Sequence, residues 1–440
     1  MALFFNVRSV SLLSRIFCGV CILNLFKYIK LLLACAALIV VTSCNDIRNI
    51  TEPIDLAGQI ENTKSLNSAY ATKLNGVYRI TDGNEYFGDY AVVKFTRNHL
   101  SIFCEKNTAY FILSSGEKDS TILFNGFWRF GEALTSGNAE LSIKKNEGYS
   151  QIISGQDNNS KIIISGNFKK ENGTDGIIRI EYLAKLKDDS TFYSIAHRGG
   201  GRNSDGLQAS ENSLEILQLA EYYGANAVEV DIQLTKDKVP ILFHDEEFSQ
   251  RLIKGNYLIG SVSSFSFQQI RTFGRLIHDE KIPALEEALD IILNKTNLKL
   301  VWLDVKLPEA VSLISPIQKK YIELATKQGR ELKILIGLPS TEVVDEYLKN
   351  STDAQQQSIC ELDINVVRTT NSFAWAPRWT DGIIKSQVNS VHTENRKVFV
   401  WTLDIQSIVH DFIYKGYFDG VLTNYPSLVS FEYYTGDVQR

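Results

Sequence analysis

The strongest constraint on the fold is a change of hydrophobic period near residue 188. Between Leu74 and about Leu186 apolar residues recur at every second position in short bursts: GVYRI, YAVVKF, HLSIF, AYFIL, STILFNGFWRF, AELSI, SQIIS, SKIIISGNF and GIIRIEYLA. Turn formers such as Asp82-Gly83-Asn84, Ser115-Gly116 and Asn172-Gly173 separate them, which is the pattern of an antiparallel sandwich or small barrel. Its aromatics, Trp128 and Phe130 among them, suit core packing, and His99, isolated along the sequence, suits a surface or satisfied core histidine better than a ligand. Past Asp188 short apolar runs alternate instead with stretches of helical spacing, such as NSLEILQLAEYYG (212–224) and ALEEALDIIL (284–293). That texture belongs to an α/β fold with parallel strands. The 440 residues therefore divide into two folded domains, 74–187 and 188–440, behind an N-terminal segment.

Eight strands are expected in the second domain: 193–197, 226–231, 239–244, 299–305, 332–337, 358–362, 397–403 and 419–424. About 250 residues with eight strands is the size of a TIM-type (β/α)8 barrel, whose site lies at the C-terminal ends of the strands. Only residues 232–238 separate the second strand from the third, too few for a crossover helix. Fully extended they reach ~23–25 Å, enough to return past a strand of ~17 Å, so a parallel barrel lacking one helix is the expectation.

The first 44 residues read as an address. Lys27 and Lys30 precede an apolar run too short for a stable span and suited to a secretory core, and the run ends in Val41-Thr42-Ser43-Cys44. Residues 45–73 are polar and read as a tether with one short helix. Beyond Cys18, Cys21, Cys35 and Cys44 only Cys104 and Cys360 remain, which excludes a disulfide framework or a paired-cysteine metal site. Net charge is −5, with no basic block past the N-terminus, so nucleic acid is excluded as a partner.

Polar residues gather at the expected strand ends. His197-Arg198 closes the first, Glu229-x-Asp231 the second, His244-Asp245 the third and Asp304-x-Lys306 the fourth. Residues i and i+2 of a strand share a face, so Glu229 and Asp231 lie side by side, and their repulsion raises one pKa or recruits a cation. With Asp304 they form an all-oxygen set suited to one divalent ion, Mg²⁺ or Ca²⁺. Two histidines supply groups that titrate near neutrality, Arg198 and Lys306 supply positive charge for phosphoryl oxygens, and Gly199 to Gly201 would let the backbone approach a ligand. Together these groups suit displacement at phosphorus. Trp401, at the end of the seventh strand, is a candidate stacking surface.

In this order the motifs resemble the glycerophosphodiester phosphodiesterase family: HRG (197–199), ENS (211–213), GANAVEVDI (224–232), TKD (235–237), HD (244–245), then IPALEEAL (282–289), VFVWTL (398–403) and DGVLTNYP (419–426). The resemblance covers about 191–430. It implies His197 and His244 as the acid/base pair, Glu229, Asp231 and Asp304 as metal ligands, and a family fold that lacks the helix after strand two. It implies cleavage of a small glycerophosphodiester to glycerol 3-phosphate and an alcohol, with the substrate's own 2-hydroxyl as a candidate first nucleophile. Two departures stand out. Asp304 replaces the family's usual glutamate, and GRNSDGLQAS (201–210) lengthens the loop after HRG. Separately, the tetrapeptide ending at Cys44 resembles a bacterial lipobox, which implies lipidation of Cys44 and an exported, membrane-anchored lipoprotein of the periplasm or outer membrane.

Two rival readings follow from the same residues. A phospholipase D-like or lysophospholipase D-like enzyme acting on membrane lipid resembles the chain at Asp304-Val305-Lys306. A catalytically inactive surface binding lipoprotein would use the antiparallel domain, for which the sequence names no partner, but it would not need so costly a cluster of like charges.

Overall fold

The computed structural model describes residues 56–440 except 134, 155–161, 189, 351–356, 437 and 439–440. The apolar run, Cys44 and residues 45–55 lie outside the described residues. From residue 56 the expected tether lies against the first domain, where Lys64 exchanges backbone hydrogen bonds with Glu117 at 2.7 and 2.9 Å.

The period-two region closes into an antiparallel barrel of β1 (Gly76–Asp82), β2 (Tyr90–Thr96), β3 (His99–Cys104), β4 (Tyr110–Lys118), β5 (Thr121–Arg129), β6 (Ser136–Ile143), β7 (Ile163–Lys169) and β8 (Asp175–Ala184). Each strand pairs with the next and β8 returns to β1, with Tyr78 opposite Tyr182. One burst is not a strand: SQIIS lies in helix α1 (Tyr149–Ser154). Tyr149, Ile152 and Ile153 stand at i, i+3 and i+4, a helical spacing, and an up-and-down barrel closes antiparallel only with an even number of strands. Trp128 fills the interior, edge-on to Phe87 at 5.5 Å and Phe168 at 5.7 Å, while its indole N–H donates to the Lys169 carbonyl at 2.9 Å.

Every residue of β3 is buried, because both of its faces are covered. Leu100 and Ile102 face the interior of their own barrel, whereas Phe103, with Val92, Tyr110, Ile112 and Phe127, belongs to the apolar cluster of the second domain. Around that shared patch the Ser101 hydroxyl donates to the Tyr222 carbonyl at 2.9 Å, Lys94 donates to the Tyr434 hydroxyl at 2.8 Å, and Arg97 pairs with Glu221. Gly224 caps the preceding helical segment at φ +102°, and a Cβ there would stand 3.0 Å from the Phe103 ring, so glycine permits this close approach.

The second domain is a closed parallel barrel with staves β9 (Tyr193–Ala196), β10 (Ala227–Leu234), β14 (Leu300–Val305), β15 (Lys333–Leu338), β16 (Ser358–Cys360), β17 (Ala374–Trp375), β18 (Lys397–Val400) and β19 (Gly420–Thr423). It differs from expectation in two linked ways. The segment expected as a third stave is β11 (Pro240–Leu242), paired antiparallel with β10 as a hairpin. Residues 235–238 make the turn: the Thr235 amide donates to the Val239 carbonyl, the Thr235 hydroxyl accepts from the Val239 amide, and Lys238 sits at φ +62°. The stave absent from the sequence reading is the two-residue β17, set in the short buried apolar run Phe373-Ala374-Trp375-Ala376 and paired on both edges, with β16 and β18.

No crossover helix is missing. Among the described residues α2 (Leu214–Leu219), α3 (Leu285–Lys295), α4 (Ala310–Lys327), α5 (Thr341–Asn350), α6 (Ile364–Thr369), α7 (Lys385–Thr393) and α8 (Gln406–Tyr414) join successive staves, and α9 (Pro426–Thr435) follows β19. The crossover after β10 is α3, delayed past the hairpin and a ribbon of β12 (Glu247–Phe248) and β13 (Gly260–Ser261).

Because the two barrels share buried apolar surface, a fragment of residues 188–440 is expected to melt at a lower temperature than the full chain and to bind a hydrophobic dye. Calorimetry with dye titration checks this; an unchanged midpoint without dye binding would mean that the barrels are stable independently.

Candidate active site

The interior of the parallel barrel fixes which residues reach its mouth. Ile195, Ala227, Trp302, Ile359, Phe399 and Leu422 belong to its interior apolar cluster. Two positions further along each strand, on the same face, stand His197, Glu229, Asp304, Glu361, Trp401 and Asn424. Parallel register sets Asp231 beside Asp304 and Leu422 beside Ile195. The hairpin delivers the second imidazole: the Phe243 amide donates to the Asp231 carbonyl at 3.0 Å, so His244 follows at the level of the acids.

Glu229, Asp231 and Asp304 each offer an oxygen within 4.8 Å of the other two. Lys306 donates to Asp231 Oδ1 at 2.7 Å and stands 3.4 Å from Asp304 Oδ2. Asn212 orients Asp231 by donating to Oδ2 at 2.8 Å and accepting from its amide at 3.1 Å. Burial, reinforced by the two neighbouring acids, pushes the Glu229 carboxyl well above the usual range. Burial also pushes Asp304 up to about 6, against the pull of Lys306. For Asp231 the effect of burial is outweighed by Lys306, His244 and Arg198, which bring it down to about 2. Three hard oxygen donors with one carboxyl already ionised fit Mg²⁺ or Ca²⁺, and the shorter side chain of Asp304 does not take it out of the cluster.

His197 Nδ1 lies 2.7 Å from Asn424 Oδ1. Asn424 spends its own amide N–H on Asp404 Oδ2 at 2.6 Å, so its oxygen faces the ring and places the proton on Nδ1. Nε2 then carries a lone pair, which accepts from Arg198 Nε at 3.3 Å and stands 3.9 Å from Glu229. Burial, with help from the Arg198 cation, lowers the His197 pKa. His244 is hydrogen-bonded through Nδ1 to Asp245 Oδ1 at 2.6 Å and turns Nε2 toward Asp231 Oδ1 at 3.9 Å.

Arg198 is in the site but is not a free fork. Its Nη1 donates to the buried Glu211 at 2.6 Å, and its backbone amide donates to Glu229 at 2.8 Å. The glycines after it serve packing: a Cβ at Gly199 or Gly200 would meet Ile216 of α2 at 2.9 or 2.6 Å. Trp401 closes the interior core at the mouth, donating to the Ala376 carbonyl at 2.8 Å with Arg378 5.1 Å from its ring centre.

Four neighbours carried no role in the sequence reading. Glu211 and Asn212 lie in the ENS motif and Asn424 in TNYP, yet only tertiary contact shows what they hold. Glu361 was legible by the rule that singled out Asp304, a carboxyl at the C-terminal end of a strand. Burial, with Asp304 nearby, pushes it up to about 8.

A closed parallel barrel whose C-terminal mouth gathers carboxylates, imidazoles and cations places the chain among the (β/α)8-barrel enzymes. Within that class the chain belongs to the glycerophosphoryl diester phosphodiesterase family, whose model matches residues 197–428. The matched span leaves out the antiparallel barrel. The chain is 24% identical over 242 residues to a glycerophosphodiester phosphodiesterase of Caldanaerobacter subterraneus subsp. tengcongensis, covering 53% of this chain and 93% of that protein. It is 35% identical over 149 residues to human glycerophosphodiester phosphodiesterase 1, covering 32% of this chain and 41% of the human protein. Among solved structures, an Oleispira antarctica phosphodiesterase in complex with the product sn-glycerol-3-phosphate matches with a TM-score of 0.44 and 21% identity, over 54% of this chain and 95% of that one.

The acid cluster makes stability depend on pH with a definite sign. Asp304, raised to about 6, penalises the folded state above the unfolded value of about 3.9, so without metal this cost grows as pH rises from about 4 to about 6. Asp231, lowered to about 2, contributes stability present above about 3.9 and lost as pH falls toward 2. Asp304→Asn is therefore expected to stabilise EDTA-treated protein at pH 7.5 by on the order of 1–2 kcal/mol, to have no such effect at pH 4, and to lose the stabilisation by added Ca²⁺ or Mg²⁺. Urea titrations at both pH values check this; a less stable variant at pH 7.5 contradicts it.

Proposed function

We propose that the protein is a divalent-metal-dependent glycerophosphodiester phosphodiesterase that releases glycerol 3-phosphate and an alcohol, with His197 as general base and His244 as general acid. The observation that carries this reading is the convergence of Glu229, Asp231, Asp304 and both imidazoles at one barrel mouth.

His197, neutral, turns its Nε2 lone pair from Arg198 Nε to the attacking hydroxyl, taken here as the substrate's own 2-hydroxyl, and accepts its proton. As the new P–O bond forms and the bond to the alcohol breaks, His244 gives its Nε2 proton to the leaving oxygen. With the roles reversed, His244 deprotonates a water that opens the cyclic phosphate, and His197 returns a proton to the 2-oxygen. Arg198 and Lys306 set positive charge against the phosphoryl oxygens. Trp401 forms an apolar wall for the glycerol moiety. A divalent cation held by Glu229, Asp231 and Asp304 would supply Lewis-acid stabilisation of the phosphoryl charge. The same reading makes the protein an exported lipoprotein tethered through Cys44. That part rests on the sequence alone; no helix among the described residues is long and apolar enough to cross a membrane.

His197→Ala and His244→Ala are each expected to lower turnover of glycerophosphocholine or glycerophosphoethanolamine by ~100-fold or more, with unchanged circular dichroism. EDTA abolishes turnover and Ca²⁺ or Mg²⁺ restores it. Substantial activity in either variant overturns the assignment, and preference for sphingomyelin or lysophospholipid over the glycerophosphodiesters overturns the substrate class in favour of a phospholipase D-like reading.

A further inference from the structure

Arg129, the last residue of β5, is 2% exposed, and both of its terminal nitrogens leave the antiparallel barrel. Nη1 donates to the Gly206 carbonyl at 2.6 Å and Nη2 to the Asp205 carbonyl. Those carbonyls lie in residues 201–210, the segment that lengthens the loop after His197-Arg198-Gly199. A guanidinium this deeply buried is costly unless its donors are satisfied, and here neutral carbonyls of the active-site loop take both terminal nitrogens while Nε is left without a hydrogen-bond partner.

From that anchor two lines of contact run inward. Along the first, the Asn203 amide donates to Glu211 Oε2 at 2.8 Å and its side-chain oxygen accepts from the Glu211 amide at 2.9 Å. Glu211 Oε1 in turn holds Arg198 at 2.6 Å and Arg251 at 3.3 Å, and Arg251 donates to Asp245, the partner of His244, at 2.6 Å. Along the second, the Asp205 carboxylate accepts from the Arg202 amide at 2.8 Å and from the Tyr425 hydroxyl at 3.4 Å. Tyr425 adjoins Asn424, which fixes the tautomer of His197.

We propose that Arg129 is a positioning residue of the active site: by gripping the 205–206 carbonyls it holds loop 201–210 so that Glu211 and Asn424 keep Arg198 and His197 aligned. The antiparallel barrel is then a working part of the enzyme. This inference rests on the phosphodiesterase reading given above.

The test uses the full chain with Ca²⁺ and glycerophosphocholine, in Arg129→Met, Arg129→Lys, Asp205→Ala and the Arg129→Met/Asp205→Ala pair. Arg129→Met is expected to lower kcat ~10-fold or more, as misalignment does, with a smaller change in KM. Arg129→Lys, which keeps a buried donor, recovers part of the loss. The paired variant loses no more than the worse single one, since both act through one loop. Amide hydrogen exchange in 201–213 speeds up in Arg129→Met while β4 and β6 stay protected. Full kcat in Arg129→Met, with or without faster loop exchange, overturns the proposal, as does strict additivity in the pair. Should Arg129→Met fail to fold, Asp205→Ala, outside the antiparallel barrel, carries the same expectations for kcat and exchange. A parent chain inactive on glycerophosphodiesters would defeat the functional reading, and loop exchange alone would then decide whether Arg129 holds the loop.

Discussion

Like charges held together at the barrel mouth are the constraint on which the rest depends. Three carboxyls within 4.8 Å of one another repel strongly in a buried site, and the chain answers with Lys306 and Arg198, while burial and the two neighbouring acids push the Glu229 carboxyl well above the usual range. That compensation is incomplete for a metal-free protein at neutral pH, as the rise of Asp304 to about 6 records. A cluster kept in this state resembles a binding site more than a structural ion-pair network, because pairing each acid with its own base would stabilise the fold better.

The histidines acquire distinct characters from what holds their Nδ1 atoms. An amide oxygen at His197 and a carboxylate at His244 turn chemically identical rings into non-equivalent groups, with burial and Arg198 further disfavouring the charged form of His197. Both supports come from outside the strands that carry the acid cluster: Asn424 directly follows β19 and Asp245 follows the β10–β11 hairpin. The antiparallel barrel adds another layer of support through Arg129, so the domain outside the matched family span reaches the chemistry through the loop that distinguishes this chain.

Much of the site was legible in the sequence because barrel chemistry sits at strand ends and strands alternate by two. Ile195 to His197, Ala227 to Glu229 and Asp231, and Trp302 to Asp304 follow that rule directly. Glu361, two beyond Ile359, followed it too and was passed over. The strand count misled where local pattern and partner disagree: VPILFH has the composition of a stave yet is folded back antiparallel on β10 by the turn at residues 235–238, and Ala374–Trp375 is a short stave paired on both edges with its neighbours. SQIIS satisfied a period of two and of 3.6 at once, and barrel closure decided between them. The grip of Arg129 on loop 201–210 left no local signal, since its partners are backbone carbonyls some 76 residues away.

Anomalous diffraction from crystals of the full chain soaked in Mn²⁺ tests the central claim most directly. The expected result is one peak bounded by Glu229, Asp231 and Asp304 with His197 and His244 facing it, absent in Glu229→Gln. A peak elsewhere, or none at these carboxylates with Lys306 still seated between Asp231 and Asp304, would contradict it.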